Sequence, residues 1–140
     1  MDVLISIKPK YVDKIINGSK KIEYRKILFK ASSVNKIYVY SSFPVKKIIG
    51  YFKYDGFICN SPELLWSLTE SISGISKEFF FNYFKNKSKA YGLFVNNFYQ
   101  FIEPIDPYIV DNNFKPPQSF MYIEEDFLIE DNRNMEQIKK

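Results

Sequence analysis

Histidine is absent from the 140 residues of this sequence, and cysteine occurs once, as Cys59. Without histidine there is no Ser-His-Asp triad, no Cys-His pair and no imidazole to bind a metal ion or to transfer protons near neutral pH. A single thiol forms neither an internal disulfide nor a zinc cluster. Any catalysis must therefore depend on lysine, acidic, tyrosine or hydroxyl side chains, and the sequence predicts no cofactor and no metal site.

Long apolar segments are also absent, since no run approaches the roughly 20 residues that a membrane span requires. The N-terminus carries an early Asp2 and only a short apolar run before Lys8, which is not the order of a secretory signal. We therefore expect a cytoplasmic protein without a membrane partner, and the single Cys59 agrees with a reducing compartment. The length fits one domain.

Positive charge is concentrated in the front of the chain. Residues 1–53 contain twelve Lys or Arg against three acidic residues, whereas the net charge of the whole chain is only +4. A basic region of this kind suits a polyanion, because neutralised phosphates supply most non-specific affinity for nucleic acids. The chain is also rich in Lys, Ile, Asn, Phe and Tyr, which is typical of A/T-rich coding sequences and would raise the isoelectric point without any function.

One stretch near the N-terminus combines two kinds of local structure. Pro9 predicts the start of a helix, and Gly18 predicts its end. After Gly18 the pattern becomes that of a strand, on which Lys21, Glu23 and Arg25 share one face. The same spacing is typical of a solvated strand on which Glu23 pairs with either cation. Position alone therefore does not decide between a solvated strand and a functional site.

The pattern Gly18-x-Lys20-x-x-Glu23-x-Arg25, after a strand ending in Ile-Lys-Pro and a short helix, resembles the ASCH family, the branch of the PUA-like superfamily named for an association with RNA. A second segment, Pro116-Pro117-Gln118-Ser119-Phe120, is similar to the closing strand of that family. The resemblance covers most of residues 1–123. It implies an α+β, PUA-like fold: a mostly antiparallel, partly open β-barrel with three short helices packed at its ends. Residues 124–140 are expected to form an acidic, then polar tail that is partly mobile.

The resemblance further implies a cleft where the motif strand meets the closing strand. Lys20, Glu23 and Arg25 match the motif positions on one side, and Gln118 and Ser119 lie opposite. Some ASCH members are hydrolases acting on a modified nucleoside, with a lysine at the position of Lys20 and a threonine nucleophile where this chain has Glu23. A threonine hydroxyl can be acylated by substrate, whereas a glutamate suits a base or a group that holds a cation. Acyl cleavage of that kind therefore lacks its nucleophile here.

The region from Lys36 to Ser42 predicts a strand with Tyr40 on one face, followed by a turn that leads to Lys46. An aromatic ring and a cation around one strand end could stack a base and hold a phosphate. Cross-strand aromatic packing beside a solvated loop explains the same residues. Gly50 in the next strand predicts a bulge or a close approach of two backbones.

Helix starts are predicted at Ser61 and Ser76, where a hydroxyl cap precedes an acidic first turn. The second helix carries four Phe and a Tyr between Phe79 and Phe84, more than one core-facing stripe needs. Part of this set is therefore expected to cover the barrel end or to contact a protein partner.

The C-terminal half gives two further local predictions. Asn96-Asn97 is expected to turn a hairpin, since Asn tolerates the positive φ of tight turns. Pro104 and Pro107 predict an extended stretch after it.

Three functions fit these features. The first is binding of RNA or a nucleotide in a basic cleft, and the second is metal-independent hydrolysis of RNA or a modified nucleoside, with Glu23 activating a water or a 2′-hydroxyl. The third is a protein-interaction module built on the Phe79–Phe84 region. The residues predicted to bind are Lys20, Arg25, Tyr40, Lys46, Gln118 and Ser119, and the residues predicted to act if there is turnover are Lys20 and Glu23.

Overall fold

The computed structural model describes residues 1–30 and 33–124, together with the backbone of residues 137–139. Most of the predicted tail, including residues 125–136, lies outside the described residues. No helix in the described part of the chain is both long enough and apolar enough to cross a membrane. The elements in chain order are β1 (Asp2–Ile7), α1 (Pro9–Ile16), β2 (Ile22–Arg25), β3 (Lys36–Ser41), β4 (Lys47–Lys53), β5 (Phe57–Asn60), α2 (Pro62–Thr69), a 3-10 turn (Glu70–Ile72), α3 (Lys77–Tyr83), β6 (Ala90–Phe94), β7 (Phe98–Ile105), α4 (Pro107–Val110), β8 (Phe120–Ile123) and β9 (Gln137–Lys139).

The strands form two separate sheets. Six strands are ordered β8-β1-β3-β4-β7-β9, and three are ordered β2-β6-β5. Strands β1 and β3 run parallel, and the other pairs are antiparallel. The predicted α+β class is confirmed. The sheets do not close into a barrel, and the described chain has four α-helices where three were expected.

Helix α1 follows the local signals in the sequence. Pro9 occupies its first turn, and Gly18 adopts a φ of +86° just beyond its end. Val12 and Ile15 are buried against the face of the large sheet that carries Ile5. The helix therefore delivers the chain to β2 at a fixed position beside the end of β1.

A second apolar cluster joins the small sheet to the helices. Ile22 and Tyr24 of β2 pack with Trp66 of α2 and with Phe80 and Phe84 of α3. The predicted caps hold both helices, since the Ser61 hydroxyl accepts from the Leu64 amide at 3.3 Å and the Ser76 hydroxyl accepts from the Phe79 amide at 3.0 Å. This packing fixes α3 over β2.

Two local predictions are wrong, for different reasons. The strands on either side of Asn96-Asn97 belong to different sheets, so they do not form a hairpin. The prediction of an extended stretch holds at Pro104, which lies in β7, but not at Pro107. Pro107 occupies the first turn of α4, where the Asp106 side chain accepts from the Tyr108 amide at 2.9 Å. The Gly50 prediction is confirmed, since the β4 register shifts at this point and a Cβ on Gly50 would overlap the Tyr99 carbonyl.

Candidate functional site

Three charged side chains of the motif are buried together at β2. Lys20, Glu23 and Arg25 have exposed fractions of 3%, 8% and 8%. The Lys20 Nζ lies 3.7 Å from Glu23 Oε1, and Arg25 Nη1 donates to Glu23 Oε2 at 3.1 Å. Charges that leave water need partners within reach, and here one carboxylate serves two cations. The group carries a net positive charge.

The interpretation of this motif as a solvated strand is therefore wrong. Strand β2 begins at Ile22, and all four of its residues are buried. Lys21 precedes the strand and is exposed, so it does not share the buried face with Glu23. The backbone of Lys21 is instead fixed between two neighbours, because its amide donates to the Ile72 carbonyl at 2.9 Å and its carbonyl accepts from the Val95 amide at 2.9 Å.

The ammonium group of Lys20 lies in a mostly apolar enclosure. It donates to the Ser73 carbonyl at 3.1 Å and lies 5.9 Å and 5.1 Å from the ring centres of Tyr11 and Tyr24. Burial lowers the pKa of Lys20 below its ordinary value, and the nearby Glu23 carboxylate only partly opposes this effect. Lys20 is therefore an amine that loses its proton more readily than a surface lysine does.

Gly74 lies in the loop between the 3-10 turn and α3, and it allows the backbone of this loop to pack directly against Lys20. Its φ is +68°, and a Cβ at this position would lie 2.5 Å from Lys20 Cβ and 2.9 Å from Lys20 Cα. The Gly74 carbonyl accepts a hydrogen bond of 3.0 Å from Lys14 Nζ, so α1 anchors the same loop. Only glycine combines this backbone conformation with so close an approach.

Arg25 connects the motif to the closing segment. Its Nη2 donates to the Ser119 carbonyl at 2.5 Å, and its Nη1 also reaches the Ser6 carbonyl at 3.4 Å. The Ser6 hydroxyl donates to the Pro117 carbonyl at 2.9 Å. The two segments that carry the family resemblance are therefore adjacent in space, and backbone oxygens of residues 117–119 make the contact.

A cavity of about 240 Å³ opens beside these groups. Its charged residues are Lys8, Lys20, Glu23 and Arg25, and Gln118 contributes an amide. Its remaining lining residues are Ser6, Ile7, Tyr11, Tyr24, Ile75, Phe79 and Tyr83. The cavity thus brings Lys20, Glu23, Arg25 and Gln118 together, while Ser119 does not line it and contributes its carbonyl to Arg25.

Tyr40 and Lys46 lie elsewhere. Tyr40 is 1% exposed and packs 5.4 Å from the Phe114 ring, so its ring has no free face and the prediction that it stacks a base is wrong. Its hydroxyl has no hydrogen-bond partner of good geometry, and burial, with Tyr108 close by, raises its pKa. Lys46 is exposed in a turn, with its Nζ 5.3 Å from the Tyr108 ring centre.

The aromatic residues of the cavity are not among the site residues predicted from the sequence. Tyr11 and Phe79 pack with ring centres 5.5 Å apart, and Phe79 and Tyr83 are nearly parallel at 6.5 Å. Phe79 and Tyr83 are four positions apart on α3 and therefore share one helix face. That spacing is visible in the sequence, but the face that meets β2 depends on how α3 is docked. Within the described residues, no group of three or more Cys, Asp or Glu side chains is arranged to hold a metal ion.

Comparisons with known sequences and solved structures find ASCH proteins, and they confirm the predicted PUA-like fold. A protein of Zymomonas mobilis named ASCH domain-containing ribonuclease is 26% identical over 128 residues, which cover 87% of this chain and 84% of that protein. The crystal structure of ASCH from Zymomonas mobilis has 25% identity and a TM-score of 0.86, covering 97% of this chain and 96% of that chain.

A large ribosomal subunit protein uL22 of Ureaplasma parvum is 27% identical over 125 residues, where this chain spans 39% of that protein. No family model matches the chain.

Proposed function

Because the chain belongs to the ASCH domain family, we propose that it binds RNA in the cavity between β2, α3 and the segment before β8. The observation that carries this proposal is the buried group of Lys20, Glu23 and Arg25, in which two cations share one carboxylate. Such a group has positive charge to offer a phosphate, and a low-dielectric setting strengthens that attraction. The basic cleft predicted from the sequence becomes, in this proposal, a small cavity with a cationic floor.

The other lining residues suit a nucleoside. Tyr11, Phe79 and Tyr83 offer ring faces and edges for an unstacked base, the usual means of holding single-stranded RNA. Gln118 has both a donor and an acceptor for a base edge or a sugar. In this proposal these rings, and not Tyr40, stack the base. Lys46 lies outside the cavity, and its positive charge adds to the long-range attraction of a polyanion.

Binding is tested with a matched pair of variants, Lys20→Met and Lys21→Met. Both remove one positive charge from neighbouring positions, but only Lys20 lines the cavity. Fluorescence anisotropy of a labelled single-stranded RNA should show at least a tenfold loss of affinity for Lys20→Met and less than a threefold loss for Lys21→Met. Thermal unfolding of both variants checks that they are folded. Equal losses in the two variants would mean that RNA responds to net charge alone, and the proposal would be dropped.

A second candidate function is metal-independent cleavage of RNA at the same site. The relative of Zymomonas mobilis that is named a ribonuclease is covered over 84% of its length, which favours turnover. The 2′-hydroxyl of RNA would attack the adjacent phosphorus and release the 5′-oxygen, leaving a 2′,3′-cyclic phosphate and a 5′-hydroxyl. This reaction needs one group to take the 2′ proton and one to protonate the leaving oxygen.

Glu23 and Lys20 are arranged for these two tasks. Arg25 occupies Glu23 Oε2 at 3.1 Å, while Glu23 Oε1 lies 3.7 Å from Lys20, beyond a normal hydrogen bond, and keeps capacity to accept a proton. Lys20, with its lowered pKa, is suited to give a proton to the leaving 5′-oxygen. Arg25 stabilises the negative charge that develops on the phosphoryl oxygens.

Turnover is tested with purified protein and RNA in the presence of a chelator. We expect cyclic-phosphate products from the wild type and at least a hundredfold slower cleavage by Glu23→Gln, because the base contributes about 10²–10⁴-fold in such reactions. The Glu23→Gln protein, prepared in parallel, also reports any contaminating nuclease. Identical product levels in both preparations would overturn this candidate and leave the binding proposal untouched.

In the described structure, little of the Phe79–Phe84 region is available for contact with a protein partner. Phe80 and Phe84 are buried in the cluster with Trp66, and Phe79 borders the cavity.

We assign both RNA functions to the cytoplasm, since the free thiol of Cys59 suits a reducing compartment.

A further inference from the structure

The cavity has a charged floor and an aromatic rim. Lys20 and Arg25 are nearly inaccessible to solvent, whereas Phe79 is 39% exposed and Tyr11 and Tyr83 are half-buried. A ligand group that reaches the two cations therefore passes the more exposed lining residues, which include these rings together with Lys8 and Gln118. The deepest position is the one suited to an anion, and the entrance is the one suited to a flat heterocycle.

The floor has unused capacity for a strongly charged group. An arginine has five N–H donors, and Arg25 uses three of them in its hydrogen bonds to Glu23, Ser6 and Ser119. Lys20 donates to the Ser73 carbonyl and has further N–H groups. With Lys8 included, three cations and one carboxylate line the cavity. A group carrying two negative charges fits this excess better than one carrying a single charge.

The size of the cavity decides how a nucleic acid enters. Its volume of about 240 Å³ lies below the roughly 300–1,000 Å³ of pockets that enclose drug-sized ligands. An internal phosphodiester has a nucleoside on each side, and both would have to follow it past the rim. A terminal phosphate brings one nucleoside and carries close to two negative charges near neutral pH.

We infer that the cavity takes RNA end-first and recognises a terminal phosphomonoester. Lys20 and Arg25 hold the phosphate at the floor, and the terminal base lies against Phe79 and Tyr83 at the rim. This inference rests on the proposed RNA binding and goes beyond it, because it specifies the part of the RNA that enters. It favours the binding proposal over internal cleavage at the same site, since cleavage needs an internal phosphodiester beside Lys20 and Glu23.

The test uses one short 2′-O-methyl oligonucleotide, which resists cleavage through the 2′ position, in three forms. One form has a 3′-phosphate, one a 5′-phosphate, and one has hydroxyl groups at both ends. Affinity is measured by isothermal titration calorimetry with wild type, Lys20→Met and Lys21→Met. We expect at least one phosphate-terminated form to bind tenfold or more tightly than the hydroxyl form. Lys20→Met should abolish this preference, and Lys21→Met should retain it.

The possible outcomes separate the two proposals. Equal binding of all three forms, with affinity still reduced by Lys20→Met, would overturn recognition of the terminus while RNA binding stands. No binding of any form would overturn both. Competition with inorganic phosphate and a nucleoside monophosphate completes the design. If the monophosphate binds as tightly as the best oligonucleotide, the ligand is a free nucleotide and the RNA-end inference is wrong.

Discussion

The guanidinium group of Arg25 donates a hydrogen bond of 2.5 Å to the backbone carbonyl of Ser119, a residue 94 positions later in the chain. Arg25 ends a strand of the small sheet, and Ser119 directly precedes a strand of the large sheet. This contact therefore joins the two sheets at the edge of the cavity. The hydrogen bond from the Ser6 hydroxyl to the Pro117 carbonyl supports it from the other side.

Replacing Arg25 with Lys should loosen this junction. A lysine keeps the positive charge but lacks the planar fork that reaches Glu23, Ser6 and Ser119 together. We expect a loss of about 1.5–3 kcal/mol in the free energy of unfolding, typical of hydrogen bonds that involve a charged group. Hydrogen exchange should become faster at the amides of Phe120–Ile123. Lys21→Ala is the control, and a loss as large as that of Arg25→Lys would exclude this role for the fork.

The pH dependence of stability should report the burial of Lys20. Between its lowered pKa in the folded chain and the ordinary value of 10.5, the unfolded chain holds a proton that the folded chain has released. Stability therefore rises with pH in that window, and the cost of burying the charge is complete only below the lowered pKa. The free energy of unfolding of wild type relative to Lys20→Met, measured in urea, should increase as the pH rises towards 10.5.

The comparison of wild type with Lys20→Met also controls for other groups that titrate at high pH. Burial raises the pKa of Tyr24 and of Tyr83, which lowers stability at high pH because the unfolded chain loses those protons first. Both tyrosines are present in wild type and in Lys20→Met, so their contributions largely cancel in the difference. A difference that stays flat or falls with pH would show that the Lys20 ammonium is not disfavoured by burial.

Gly74→Ala should displace Lys20, and Gly18→Ala is its matched control. Both glycines have positive φ, but a Cβ on Gly18 meets nothing within 4 Å, whereas one on Gly74 meets Lys20. The left-handed backbone costs either alanine about 1–2 kcal/mol. The steric overlap should cost Gly74→Ala about 1–3 kcal/mol more and weaken RNA binding. Equal stability and equal affinity in the two variants would show that the loop accommodates the methyl group freely.

Phe79 and Phe80 are neighbours with opposite surroundings. Phe79 is 39% exposed at the rim, and Phe80 is fully buried against Tyr24 and Trp66. Phe80→Ala should cost about 3–5 kcal/mol of stability through the cavity that it leaves. Phe79→Ala should cost about 1 kcal/mol or less and still reduce RNA affinity by at least threefold, since stacking on a ring contributes about 1–3 kcal/mol per base. Unchanged affinity in Phe79→Ala would remove the rim from the site.

The buried hydroxyl of Tyr40 should be a cost to stability. Tyr40→Phe should raise the free energy of unfolding by up to about 1 kcal/mol, because it removes an unsatisfied polar group. Tyr24→Phe is the contrasting change. It removes a 2.6 Å hydrogen bond to Thr69 and should lower stability by about 1 kcal/mol. The free energy of unfolding of both variants is measured by chemical denaturation. Equal losses of stability in the two variants would indicate that the Tyr40 hydroxyl has a partner after all.

Local rules explain the parts of the fold that the sequence predicted. Pro9 and Gly18 bracket α1, and the hydroxyls of Ser61 and Ser76 cap α2 and α3, because each signal acts within a few residues of itself. The same holds for the motif, where the spacing of Glu23 and Arg25 along one strand brings the two side chains together.

Features set by distant contacts were not predictable in this way. The chain bends at Asn96, but the strands on either side pair with β2 and β4 in different sheets, and contacts with the rest of the chain decide that pairing. Tyr40 was assigned to the cleft on its strand position, yet the segment around Phe114 covers its ring. The α4 helix was a different case, because the signal of Asp106 as a cap before Pro107 was present, but the stretch was interpreted as extended.

The rim and the floor of the cavity are carried by different kinds of element. The charged floor lies on β2 and on Lys20 just before it, and β2 is paired with β6 over its whole length, whereas two rim rings project from a seven-residue helix. Substitutions at positions 79 and 83 can therefore alter the preferred heterocycle without disturbing the ionic group or the sheets. Divergence of ligand preference among related proteins should accumulate on that short helix, with the strand beneath it left as the invariant platform.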